Sequence, residues 1–311
     1  MKPAPSIIFF TVASGAGYGL LFWLGVLKPL GLLPASSLFG ATTAIIALAL
    51  ITAGLCSSLL HLGRPERAWR ALSQWRSSWL SREGVAAVIT FLPATVFMIA
   101  LAHDEKRLIL IAGLFSAVGA AITVYCTGMI YASLKPIKEW HHPMVAPGYL
   151  LFASFSGASL LAMLAIFWGG GFFPALVAAA LGLAALMFKR AYWASLDATP
   201  ATSTRESATG LGFIGKVRPL ESPHTESNYL LREMVFRVGR VHAPKLRAIA
   251  LLLGFALPAL LFSLAIIIGG GTAMALGLLA AALALIGLVV ERWLIFAEAT
   301  HTVALYYPTQ R

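Results

Sequence analysis

Residues able to do chemistry concentrate in one stretch of this chain. Leu60-His61-Leu62-Gly63-Arg64-Pro65-Glu66-Arg67-Ala68-Trp69-Arg70, continued by Ser78-Trp79-Leu80-Ser81-Arg82-Glu83-Gly84, joins two long apolar segments. Histidine titrates near neutral pH and passes protons readily. A carboxyl group at a lipid boundary holds and delivers a proton when burial favours its neutral form. His61 and Glu83 flank the stretch, Arg64 and Arg82 stand beside them, and Trp79 offers a flat wall. A quinone takes two electrons and two protons at its headgroup while its tail stays in lipid, and these residue types suit it. The alternative is structural. The helix dipole favours a carboxylate at a helix start and a cation at a helix end, which are the places of Glu83 and His61.

The elements that position these residues follow from composition. Of 311 residues, 59% are hydrophobic and 11% charged, against about 25% charged in soluble domains. Mean hydropathy is +0.84. Apolar runs near the ~20 residues needed to cross a bilayer occur at 7–27, 37–60, 83–101, 108–132, 147–168, 172–192, 247–268 and 272–296. In hydrocarbon the backbone must satisfy its own hydrogen bonds, so spans are helices or closed barrels. These runs lack the two-residue alternation of barrel strands. The fold expected is all-α: one transmembrane domain over 1–311, a bundle of eight transmembrane helices, with a long cytoplasmic loop at 194–246. The first run is too long for a signal-peptide core and no clear cleavage site follows it, so it reads as a retained helix. Gly15 and Gly19 have the spacing that lets helices approach closely.

Charge gives the orientation. Net charge is +11, yet of the 23 Lys and Arg only Lys28, Lys106 and Arg107 fall in loops on one side. The other side holds Arg64, Arg67, Arg70, Arg76 and Arg82, then Lys135 and Lys138, then a loop beginning with Lys189 and Arg190. Such a distribution reflects topology and anionic lipid rather than nucleic acid. The positive-inside rule places both termini and the three basic loops in the cytoplasm of a bacterial inner membrane. Trp69, Trp75, Trp79, Trp140, Trp193 and Trp293 lie on that side, as an interfacial belt would. Arg67, Arg70 and Arg76 are placed to dock a cytoplasmic partner. Within the long loop, Tyr229-Leu230-Leu231-Arg232-Glu233-Met234-Val235-Phe236 suits either a tether or a second docking helix.

Other polar residues admit more than one role. Glu291, Glu298 and, loosely, His301 share a helical face; they suit a proton path, a second wall of the same pocket, or ion pairs with loop arginines. His141 and His142 are adjacent and point apart, so no metal site is expected there. Cys56 and Cys126 are the only cysteines, too few for a four-cysteine iron–sulfur cluster, and they suit small apolar packing. Only His61 and His301 could pair as haem ligands, and no haem is expected. A transporter or proton pump using Glu291 and Glu298 is a rival of another class. It would call for ionisable groups or broken helices at mid-membrane, of which the first seven runs offer almost none. A passive tether is a further rival.

The 60–70 stretch with Leu80-Ser81-Arg82-Glu83 resembles the DmsC-type membrane anchor subunits of the dimethyl sulfoxide reductase family. That resemblance implies eight helices, electron exchange with ubiquinone or menaquinone, and no haem. It implies two partners, a ferredoxin-like iron–sulfur subunit and a molybdopterin catalytic subunit, which carry the metal centres. It assigns quinol binding to His61 and Glu83. Lys135-Pro136-Ile137-Lys138-Glu139-Trp140-His141-His142-Pro143 and Glu291-Arg292-Trp293-Leu294-Ile295-Phe296-Ala297-Glu298-Ala299-Thr300-His301 resemble the branch that anchors cytoplasmic, quinone-linked sulfite dehydrogenases. The implied function is passage of electrons from sulfite oxidation to membrane quinone, with no catalytic residue for sulfite on this chain. The alternative is a quinol-oxidising anchor of a dimethyl sulfoxide or related reductase.

Overall fold

The computed structural model describes residues 3–60, 62–200, 203–221 and 242–306. Among the described residues, eight helices are long and apolar enough to cross a membrane: α1 Pro5–Leu27, α2 Ser37–Leu59, α3 Trp79–His103, α4 Lys106–Ala132, α5 Val145–Phe167, α6 Phe172–Ala198, α7 Ala243–Ile268 and α8 Gly270–Ala297. Among the described residues there is no strand, only an isolated antiparallel bridge between Ile137 and His301. The all-α, eight-span architecture is the one composition called for.

Several helix ends differ from the apolar runs, because a helix continues while its side chains find partners. α3 begins at Trp79, so Glu83 lies inside its first turns rather than at its start. α6 continues to Ala198, with Trp193 and Leu196 still buried. α7 begins at Ala243, with Pro244 in the first turn, where its missing N–H costs no helical bond. The 229–236 segment lies outside the described residues.

The helices form two groups of four. α1 packs on α2 and α4, and α3 on both of those; α5 packs on α6 and α8, and α7 on both of those. The groups meet where α1 and α4 lie against α5. That seam is close because it is built on glycine. A Cβ on Gly19 would fall 1.8 Å from the Ala153 carbonyl oxygen, and one on Gly157 would fall 1.9 Å from the Gly19 carbonyl carbon. Without a hydrophobic driving force in lipid, backbone proximity of this kind is what holds helices together. Gly19→Ala is expected to lower stability by about 1–3 kcal/mol, the usual cost of overpacking. Gly271→Ala, where an added methyl meets nothing within 4 Å, should leave thermal unfolding in detergent unchanged.

Candidate functional site

The arginine-rich stretch folds as a 3-10 helix, Pro65–Gln74, with no buried residue. It is strapped across the start of α3. The Ser81 hydroxyl donates to the Ala71 carbonyl, and Leu72 packs where Gly84 leaves room. Arg82 fastens the far end: Nε donates to the Trp75 carbonyl at 3.0 Å and Nη2 to the Arg76 carbonyl at 2.8 Å. Its guanidinium lies 4.2 Å from the centre of the Trp79 ring, and Trp79 meets Tyr125 edge-on at 6.0 Å. Arg64, Arg67, Arg70 and Arg76 are exposed. Arg70 and Arg76 rest on Trp69 and Trp75, at 5.5 Å and 5.3 Å from the ring centres. His61 lies outside the described residues.

Glu83 is adjacent to Arg82 but points the other way. It is 4% exposed, turned inward between α3 and α4, where it accepts a hydrogen bond from the Thr127 hydroxyl. Thr127 Oγ1 also lies 3.1 Å from the Thr123 carbonyl. This triad satisfies both protonation states. An ionised Glu83 takes the Thr127 proton. A neutral Glu83 donates to Thr127, whose own proton then turns to Thr123. The hydroxyl of Tyr18 on α1 is buried near Glu83 and Thr123. Tyr18 also lines an apolar groove of about 400 Å³ between α1, α4 and α5, walled by Phe22, Val124, Pro147 and Leu151.

A second polar cluster lies deep between α5, α6 and α8. Lys189 donates to Glu291 Oε1 at 2.5 Å, with Lys189 2% and Glu291 0% exposed. Arg292 Nε is 3.6 Å from Glu291 Oε2, and its guanidinium stacks 3.8 Å from the centre of the Tyr149 ring. Tyr149 stacks in turn on Tyr131 at 5.5 Å. The apolar runs in the sequence did not reveal this. Lys189, counted among the loop cations from sequence, is a buried member of α6. It lies well over two turns before Ala198, where the helix ends. The Lys189-Arg190 pair looks like a helix stop, but only Arg190 is exposed.

The proposed face of Glu291, Glu298 and His301 is split. Glu298 caps α8 and accepts from Arg247 Nε at 2.6 Å and from the Trp193 indole at 3.1 Å; Arg247 Nη1 also bonds Asp197 at 2.7 Å. His301 lies beyond the helix, on the bridge to Ile137. Trp193 and Trp140 are buried within the protein, and the Trp140 indole donates to the Ile295 carbonyl at 2.7 Å. Cys56 is exposed on α2 and Cys126 buried on α4. Among the described residues, no three His, Cys, Asp or Glu side chains gather in a metal-holding group.

His142, in the α4–α5 connection, stands 3.1 Å from Ser195 Oγ and edge-on to Tyr192. Burial, and secondarily Lys138, push its pKa below the ordinary imidazole value. The stretches 135–143 and 291–301, distant in sequence, are one assembly. Besides the Trp140 bond and the Ile137–His301 bridge, the Thr300 N–H donates to Glu139 at 2.9 Å, and Phe296 packs edge-on against both Trp140 and Tyr131.

A family model described as DMSO reductase anchor subunit (DmsC) matches residues 1–307. The sulfite dehydrogenase C subunit of Allochromatium vinosum is 34% identical over 327 aligned positions, which cover 99% of each chain.

Proposed function

This chain belongs to the DMSO reductase anchor subunit (DmsC) family, and on that premise we propose that it is the quinone-reactive membrane anchor of a sulfite-oxidising molybdenum complex. The single observation that carries the reading is Glu83: a buried carboxyl group, bonded to Thr127 in a geometry that serves both protonation states, one residue from the Arg82–Trp79 stack. The near full-length similarity to a protein named for sulfite dehydrogenase supports sulfite as the electron source.

The reaction in the complex is sulfite plus water plus quinone giving sulfate plus quinol, two electrons and two protons moving together. The electrons come from sulfite and would reach this chain through molybdopterin and iron–sulfur clusters held by the partner subunits. This chain binds quinone at the Glu83 carboxyl, between α3, α4 and the groove beside Tyr18; the Trp79–Arg82 stack bounds the site toward the basic face, and we assign His61 to the same site. Glu83 gives a proton to one quinone oxygen and His61 serves the other. The apolar groove beside Tyr18 offers lipid-side access for the tail. The basic face is cytoplasmic, in a bacterial inner membrane, and the partners dock there.

Exposed Arg67, Arg70 and Arg76 form the docking floor. Surface charge acts within a Debye length, about 10 Å at 0.1 M salt. Changing all three to Gln is therefore expected to release the catalytic subunits from washed membranes at lower salt than in wild type. Release at the same salt would place docking elsewhere. The function itself is tested with His61→Ala in intact complex. Loss of sulfite-dependent quinone reduction with dye-linked sulfite oxidation kept is expected. Full quinone reduction would make the chain a passive tether.

A further inference from the structure

A small, partly open pocket lies between the two polar clusters, with Thr127 of one and Tyr149 and Arg292 of the other on its wall. It measures about 20 Å³, room for one water, and lies between α1, α4, α5 and α8. Polar groups on its wall include Ser14, Thr127, Tyr149, Ser156 and Arg292. Ser14 and Ser156 spend their protons on carbonyls of their own helices, so they contribute acceptors only. Thr127 bonds Glu83. The Tyr149 hydroxyl is buried with no hydrogen-bond partner, and so is Glu291 Oε2. Tyr149 stacks on Tyr131 and on the Arg292 guanidinium, whose Nε lies 3.6 Å from Glu291 Oε2. Beyond Glu291, Lys189 lies 4.6 Å from the centre of the Trp193 ring, whose indole donates to Glu298. Glu298 lines an open pocket of about 230 Å³ with Asp197, Arg247 and Lys138.

We infer that these groups form a proton relay from the basic face to Glu83, running from the Asp197–Glu298 mouth to Glu291, then Tyr149, one water and Thr127. The inference rests on the quinone reading for its purpose, but not for its test. Buried unpaired polar atoms are costly, and a water in the pocket satisfies Tyr149 and Thr127 together. When Glu83 has given its proton to quinone, Thr127 passes its hydroxyl proton to Glu83. Thr127 takes one from the water, the water one from Tyr149, and Tyr149 one that the Lys189 ammonium gives up through Glu291. Lys189 is then reprotonated from the mouth, and Glu291 ends as it began, ionised beside Lys189 and Arg292. Arg292 moves no proton; it holds Tyr149 in place and balances Glu291. The route is separate from the docking floor, so a partner protein lying over the 3-10 helix leaves it open to water.

The test is hydrogen–deuterium exchange at the Glu83 carboxyl, followed by infrared spectroscopy of the purified complex after mixing into D2O. The band is identified by its loss in Glu83→Gln. Tyr149→Phe, which removes only the hydroxyl, is expected to slow exchange by roughly tenfold or more, toward the range typical of lost acid–base relays. Thr127→Val should do the same and Thr127→Ser should restore the wild-type rate, so the result does not hang on one variant folding. Unchanged exchange in Tyr149→Phe and Thr127→Val, or no carboxyl band sensitive to Glu83→Gln, overturns the relay. Quinone reduction by the wild-type complex is scored separately. If it fails while exchange still depends on Tyr149, the quinone reading falls and the relay stands.

Discussion

Replacing Glu83 with Gln is expected to cut sulfite-dependent quinone reduction by roughly a hundredfold or more, the range in which a lost general acid falls. Gln keeps the shape and keeps an acceptor for the Thr127 hydroxyl, so α3 and α4 should stay in register. What it cannot do is hold a proton for quinone. Dye-linked sulfite oxidation by the same complex should stay at the wild-type rate, because that chemistry lies on the partner. Assaying both activities on one purified preparation separates the outcomes. Equal loss of both would point to failed assembly, and retention of both would remove Glu83 from the quinone site.

The second large effect is structural. Lys189→Met should destabilise the protein by about 3–5 kcal/mol, the cost of leaving one member of a buried pair without its counter-charge. Glu291 is fully buried, and after the change only Arg292 Nε, at 3.6 Å, remains near it. Arg292 is itself held over Tyr149, so it cannot move across without giving up that stack. Lys189→Met combined with Glu291→Gln removes the stranded charge and should be more stable than Lys189→Met alone, as burying two neutral groups is cheaper than burying one ion. Thermal unfolding of the complex in detergent reads both. If the double variant is no more stable than the single one, the ion pair is not what holds α6 to α8 at this level.

How much was legible beforehand depended on the range of the signal. Span number and helical class come from runs of apolar residues, which are local, and both were evident. The position of Glu83 near a helix start was evident too, within a turn. Its direction was not. Its hydrogen-bond partner, Thr127, is 44 residues away and no sequence neighbour pointed to it. Lys189 was missed for a similar reason. Its partner Glu291 is 102 residues on, and beside Arg190 it looks like one more charge at a helix end. A lysine followed by Ala191, Tyr192 and Trp193 was the available signal, since aromatic residues after a basic pair argue for a helix still buried. Glu298 and His301 illustrate the opposite error. Helical periodicity was extended past Ala297, where Glu298 already caps α8 and the chain turns to meet Ile137. The adjacency of 135–143 and 291–301 could not be seen from either stretch alone.

The most direct measurement is stoichiometric. Purified wild-type complex, given sulfite and a short-chain quinone without any other acceptor, should form one quinol for each sulfite consumed, as the two-electron balance of both half-reactions demands. Sulfite consumption with dye as acceptor but no quinol formed from quinone would contradict the assignment of this chain as the quinone-reactive anchor.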